Sequence, residues 1–91
     1  MPKLEQELLI ANELGLHARA SAKLVQTASR FRSEVSIRVG DEAVDAKSIL
    51  GVLTLAAVKG TTVAISADGE DAPAALAEIA ALVNDKFGEG K

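Results

Sequence analysis

A chain of 91 residues, 48% hydrophobic but only 2% aromatic, is long enough for one small core and too short to enclose a deep active-site cavity; residues 1–91 are read as a single domain whose chemistry lies at its surface. The absence of cysteine excludes disulfides, thiolate zinc sites and thiol catalysis, and a formal charge of −3 argues against nonspecific nucleic-acid binding. No apolar run approaches a bilayer span, and the start MPKLEQE is too charged for a signal peptide, so the expectation is a cytoplasmic protein without membrane insertion.

Leu4 to Ala11 alternates Leu4, Gln6, Leu8 and Ile10 against Glu5 and Glu7 and predicts a strand. Ala18 to about Ser29 follows with Leu24, Val25 and Ala28 on one helical face. Val35 to Val39 alternates cleanly and meets Gly40-Asp41, a two-residue turn signal, before a short strand from Glu42 to Ala46, which makes a hairpin. Ser48 to Val58 reads as a second helix ending at Lys59-Gly60. Thr61 to Ala67 reads as the fourth strand, with Val63, Ile65 and Ala67 on one side. The last helix has Asp71 as its N-cap and Pro73 in its first turn, then Leu76, Ile79, Ala80, Val83 and Phe87 at helical spacing up to Gly88. The order βαββαβα predicts a two-layer α+β fold, an open-faced sandwich with three helices on one face of a four-stranded antiparallel sheet.

Two features stand out against this frame. Between Glu13 and Glu34 there is no acid, while Arg19, Lys23, Arg30 and Arg32 are present, a basic island in an acidic chain that on charge alone suits an anion or an acidic partner and an ordinary solvated helix face equally well. The second helix is apolar nearly all round, with Ile49, Leu50, Val52, Leu53, Leu55, Ala56, Ala57 and Val58. A helix on a sheet buries about one stripe, so part of this surface is expected to face outward as a docking patch, unless neighbouring helices cover both sides.

His17, the only histidine, stands directly before the first helix. The unpaired N–H groups of a first turn, with the helix dipole behind them, form an anion site that needs no cavity. A neutral imidazole can attack a phosphoryl donor and later release the group, and Arg19 can bond the phosphoryl oxygens during transfer. Gly15 lets the backbone bend so that the ring faces the helix end. A lone histidine at a helix start is more often a cap or surface residue than a nucleophile; the conjunction of His17, Arg19, the helix start, the basic island and the apolar second helix favours the nucleophile. One histidine without neighbouring carboxylates at ligand spacing makes no metal site, and no Ser/His/Asp arrangement is present.

The stretch GLHARASA, with Ala46-Lys47-Ser48-Ile49-Leu50-Gly51-Val52-Leu53-Thr54-Leu55 and the later VAISADGED, resembles the HPr family, the histidine-containing phosphocarriers of the bacterial phosphoenolpyruvate-dependent phosphotransferase system and its nitrogen-related branch. The resemblance covers nearly the whole chain. It implies a carrier rather than an enzyme: His17 accepts a phosphoryl group on Nδ1 from enzyme I and passes it to an enzyme IIA-type protein, without cofactor or metal, as a monomer that binds no nucleic acid. It further implies that Ala18, Arg19 and Ala20 hold the phosphate, and that Lys23, Lys47, Ile49, Leu50, Leu53 and Ala57 form the docking surface.

Ser48 matches the regulatory serine that an HPr kinase/phosphorylase modifies in many bacteria, although serine before an apolar run is also the ordinary N-cap; both roles can hold. Family members usually carry proline where this chain has Ala20, and Ala20 restores a backbone N–H beside the anion site. The lead-in Asn12-Glu13-Leu14-Gly15 resembles the nitrogen branch and AKSILGVLTLAA the sugar branch. The alternative within the family is a regulatory relative acting mainly through Ser48. An RNA-binding module would need basic or aromatic strand residues, whereas Phe31 and Phe87 read as core. An acyl carrier would be all-helical with Asp before its serine, where this chain has Lys47-Ser48.

Overall fold

A computed structural model describes residues 3–91; Met1 and Pro2, at the charged start of the chain, lie outside the described residues. Its elements are β1 (Lys3–Leu9), α1 (Ala18–Ser29), β2 (Glu34–Val39), β3 (Glu42–Asp45), α2 (Ile49–Thr54), β4 (Thr62–Asp68) and α3 (Ala72–Asn84), followed by a 3₁₀ turn at Lys86–Gly88. The order βαββαβα agrees with the sequence pattern. The strands form one antiparallel sheet in the order β1-β4-β2-β3, so β4 enters between the first strand and the hairpin. The two outer strands then flank an interior supplied mainly by β4, whose residues Val63 to Ala67 are all buried.

The register explains which side chains share a face. Leu4, Gln6 and Leu8 stand opposite Ala67, Ile65 and Val63, while Val35 and Ile37 stand opposite Ala67 and Ile65 from the other side. A slip of one residue would turn Leu8, Val35, Ile37, Val63, Ile65 and Ala67 to solvent, so pattern and pairing specify each other. Leu24 and Ala28 of α1, Val52 of α2, and Ile79 and Val83 of α3 join the same buried cluster, which is the two-layer arrangement with three helices on one side. The opposite face is polar. There the Ser66 hydroxyl donates to a Glu5 carboxylate oxygen at 3.0 Å, and the Arg38 guanidinium lies 3.7 Å from the same carboxylate.

Two helix ends differ from the sequence reading. The helix expected from Ser48 to Val58 is only Ile49–Thr54. Its last turn tightens through Leu55 N–H to Val52 and Ala56 N–H to Leu53 carbonyls, both 3.2 Å, and Ala56 then takes φ +50°. A left-handed residue just past a helix reverses the chain; here it is alanine, so Lys59-Gly60 is not the helix end. Gly60 instead donates its N–H to the Ile10 carbonyl at 2.7 Å. Helix α3 stops at Asn84, before Phe87, which reaches the core from the 3₁₀ turn with φ +56° and 1% exposure. Asp71 does sit at the N-cap of α3, but its side chain makes no cap hydrogen bond. It accepts instead from the Ser33 hydroxyl at 2.5 Å, the Ser33 N–H at 2.9 Å and the Arg32 N–H at 2.8 Å, tying the α1–β2 turn to the start of α3.

Candidate functional site

The segment between β1 and α1 presents the candidate histidine, and Gly15 shapes it. Gly15 has φ +64°, and a Cβ built there would lie 2.4 Å from the Ala57 carbonyl oxygen and 2.8 Å from Val58 Cα. Only glycine accommodates both the left-handed backbone and that approach. The approach lets the Leu16 N–H donate to the Ala57 carbonyl at 2.8 Å, and Leu16 is buried, so the residue before His17 is fixed from two directions.

His17 is the N-cap of α1 with extended backbone, φ −72° and ψ −178°. Its carbonyl accepts the Ser21 N–H at 2.8 Å, and the Ser21 hydroxyl donates to the Leu16 carbonyl at 3.0 Å. The imidazole turns back over the helix start, where the Arg19 N–H donates to Nδ1 at 3.3 Å. Because a backbone N–H can only donate, Nδ1 carries the lone pair and Nε2 the proton. That Nε2–H is held by a carboxylate oxygen of Glu89. The N–H groups of Ala18 and Ala20, in the same first turn, have no carbonyl of their own helix within reach. Arg19 is exposed, and among the described residues its guanidinium has no hydrogen-bond or ion-pair partner.

Glu89 comes from beyond α3, where the chain folds back across the site. Its second carboxylate oxygen accepts from Asn12 Nδ2 at 3.0 Å, and the same amide nitrogen donates to the Gly15 carbonyl at 2.8 Å. Asn12 is fully buried; since both of those neighbours are acceptors, its amide must present nitrogen to them. Lys23 Nζ donates to the Phe87 carbonyl at 2.6 Å, and the Glu13 N–H donates to the Lys91 carbonyl at 3.1 Å. The Glu89 carboxyl is held below the ordinary carboxylate range chiefly by its hydrogen bond to His17. Asn12 and the nearby Lys23 charge add to this, and burial opposes it. Glu13, Leu14, Arg19, Lys23, Glu89 and Lys91 line an open cleft of about 470 Å³ beside the ring.

The structure thus brings His17, Ala18, Arg19, Ala20 and Lys23 to one end of α1. The basic island does not act as one patch, because Arg30 pairs with Glu78 at 2.5 Å and Arg32 belongs to the turn bound by Asp71. Ile49, Leu50 and Leu53 of α2 stay exposed, Leu50 at 74%. Ala57, expected on that surface, is corrected: it is only 4% exposed, its carbonyl engaged by Leu16, because the chain has already left the helix. Lys47 donates its ammonium to the Phe31 carbonyl at 2.8 Å and lines a separate cleft with Lys3, Glu34 and Asp68. Ser48 is the N-cap of α2, its hydroxyl oxygen accepting the Gly51 N–H at 3.1 Å.

Sequence reasoning missed Glu89 and the structural part played by Asn12. Separations of 72 residues from His17 and 77 from Asn12 leave no local pattern by which to find the acid. Among the described residues no group of three or more potential metal ligands occurs, and no helix is long and apolar enough to cross a membrane.

Comparison with known proteins agrees with this geometry. Residues 4–85 match the family described as PTS HPr component phosphorylation site, where PTS denotes the phosphotransferase system. The chain is 49% identical over 88 residues to the phosphocarrier protein HPr of Neisseria meningitidis serogroup A, covering 97% of this chain and 99% of that protein. It is 47% identical over 89 residues to the phosphocarrier protein NPr of Shewanella violacea, covering 98% of each. The crystal structure of HPr-C-His from Thermoanaerobacter tengcongensis superposes with a TM-score of 0.92 at 41% identity, covering 94% of this chain and 97% of that one. The chain belongs to the HPr family of phosphocarriers of the phosphotransferase system.

Proposed function

We propose that His17 is the phosphoryl carrier: Nδ1 takes the group from phosphorylated enzyme I and yields it to an enzyme IIA-type protein. The observation that carries this reading is the Nδ1 lone pair aimed at the first turn of α1, with the Arg19 N–H already on it at 3.3 Å. A phosphoryl group bonded to Nδ1 lies where the N–H groups of Ala18, Arg19 and Ala20 can donate to its oxygens, and the exposed Arg19 guanidinium adds a charge-assisted bond. No enclosed pocket is required. The phosphoryl group passes from one protein's side chain to another's across a shallow contact, and Ile49, Leu50 and Leu53 supply the apolar part of that contact, with Lys23 at its rim. A small, exposed patch that serves successive partners binds each briefly, which suits a carrier.

Ser48 is the candidate for regulation by an HPr kinase/phosphorylase. Its hydroxyl lies at the start of α2 beside Ile49 and Leu50, so a phosphate there would place two negative charges within the apolar contact while remaining next to free helix N–H groups. The fold would persist and docking would weaken.

The test is incubation with enzyme I and labelled phosphoenolpyruvate. Acid-labile, alkali-stable label that is absent from His17→Ala is the expected result; label that persists in that variant, or no label with cognate enzyme I, refutes the carrier reading. Chasing the labelled protein separately with sugar-branch and nitrogen-branch acceptors assigns the branch.

A further inference from the structure

We infer that Glu89 is a positioning residue for the phosphoryl-transfer chemistry of His17, acting through Nε2: it fixes which ring nitrogen is nucleophilic and keeps the opposite nitrogen protonated. The inference rests on the carrier reading and adds to it a residue, contributed by the C-terminal segment, that neither signature motif contains.

The geometry carries it. The imidazole is held at both nitrogens, Nδ1 by the Arg19 N–H and Nε2 by Glu89. Glu89 is itself held on its other oxygen by Asn12, a fully buried amide anchored on the Gly15 carbonyl. The segment bearing Glu89 is fastened on either side, by Lys23 to the Phe87 carbonyl and by the Glu13 N–H to the Lys91 carbonyl. A carboxylate on one imidazole nitrogen fixes the tautomer and ring orientation and raises the basicity of the other, as it does for histidines that bind metals. Here the other nitrogen is the one facing the anion-binding helix start.

The chemistry follows from where the proton sits. In the forward step the Nδ1 lone pair attacks phosphorus and the Nδ1–P bond forms. The bond from phosphorus to the donor nitrogen breaks, and the electron pair leaves with the donor. The Nε2 proton does not move, so the phosphorylated ring is cationic, facing the Glu89 carboxylate. In the return step an acceptor nitrogen attacks phosphorus, the Nδ1–P pair goes back to the ring, and the neutral Nε2–H imidazole is restored. A protonated ring is the better leaving group, so an acid on Nε2 keeps the group transferable. The same contact shields Nε2 from direct phosphorylation, since the Glu89 side chain is only 11% exposed where it covers the ring edge.

Phosphoramidate, a small phosphoryl donor that needs no partner protein, tests this on the full chain. Wild type, Glu89→Ala and Glu89→Gln are phosphorylated and read by phosphorus and nitrogen NMR for the isomer formed, then followed for hydrolysis across pH. Circular dichroism confirms that each variant is folded. Wild type is expected to give the Nδ1 isomer alone. Glu89→Ala should form at least about a tenth of its product at Nε2, and the pH above which hydrolysis slows should move down, as expected for loss of an opposite charge at hydrogen-bond distance. The other charged groups lining the cleft, Glu13, Arg19, Lys23 and Lys91, are common to all three proteins. Glu89→Gln can still accept the Nε2–H and should keep the Nδ1 isomer while showing the shifted profile, which a purely packing role would not produce. An unchanged isomer ratio and profile in Glu89→Ala overturns the inference. Failure of wild type to take label from cognate enzyme I, with the phosphoramidate results as expected, overturns the carrier reading instead.

Discussion

Replacing Gly15 by alanine tests the link between backbone geometry and site. Two costs are superimposed. The residue has φ +64°, which costs an L side chain about 1–2 kcal/mol. The new Cβ would meet the Ala57 oxygen at 2.4 Å where ordinary contact begins near 3.4 Å, so the two backbones must part by 1.0 Å. That motion stretches the 2.8 Å bond from the Leu16 N–H to Ala57, a loss of about 1 kcal/mol. Together these give about 2–3 kcal/mol, or a fall in Tm of roughly 8–24 °C for a domain of this size. Gly40 is the internal control: its φ is +60° but nothing lies within 4 Å of its Cβ position, so Gly40→Ala should bear only the backbone cost, a fall of roughly 4–16 °C. Thermal unfolding by circular dichroism measures both. A Gly15→Ala protein no less stable than Gly40→Ala would refute the claim that the close approach to Ala57 constrains this position.

Asp71, held at a pKa of about 2 by the Ser33 hydroxyl and the Arg32 and Ser33 N–H groups, has a folded value below the ordinary 3.8. Its contribution is therefore fully present above that ordinary value and lost as pH falls through about 2, so the stability gap between wild type and Asp71→Asn, read by urea unfolding, should narrow over that window; a gap independent of pH would contradict the assignment. Ser48→Ala removes the bond to the Gly51 N–H and should cost about 1 kcal/mol, whereas phosphorylation of Ser48 should leave Tm within a few degrees, about the size of a helix-dipole term; a sharp fall would mean that the phosphate breaks the cap. Leu50→Ala should leave stability within about 0.5 kcal/mol and raise the KM for enzyme I about fivefold to tenfold at unchanged kcat; an unchanged KM would remove Leu50 from the docking surface. Ala20→Pro removes one of the N–H groups placed to donate to the phosphoryl oxygens and should hold the phosphate no better than wild type does; phospho-His17 that hydrolyses far more slowly in that variant would show that Ala20 weakens the site.

The parts legible in the sequence are those with short-range marks. Alternation gave the inner faces of β1, β2 and β4, and Gly40-Asp41 marked the hairpin because a two-residue turn has a narrow chemistry. His17 before a helical stripe marked both the N-cap and the anion site. The end of α2 was hidden because an all-apolar run has no period to lose, and because alanine, not glycine, takes the left-handed position at Ala56. Asp71 was legible as an N-cap position but not as the anchor of Arg32 and Ser33, nearly forty residues away. Position within an element is local information; the partner of a side chain is not.

The same distinction explains how the site divides its charges. Arg30 and Arg32 are taken up by Glu78 and by the turn that Asp71 holds, so of the basic island only Arg19 and Lys23 remain at the helix start. The acid that the island lacks is returned from the far end of the chain, and it arrives on the Nε2 side of the ring. An acid on the Nδ1 side would repel a phosphoryl group and compete for the N–H groups of Ala18, Arg19 and Ala20. On the Nε2 side it opposes neither. The imidazole therefore separates an anion-accepting edge, built by the local motif, from an anion-bearing edge, built by the fold, and the orientation of one ring depends on residues from both ends of the chain.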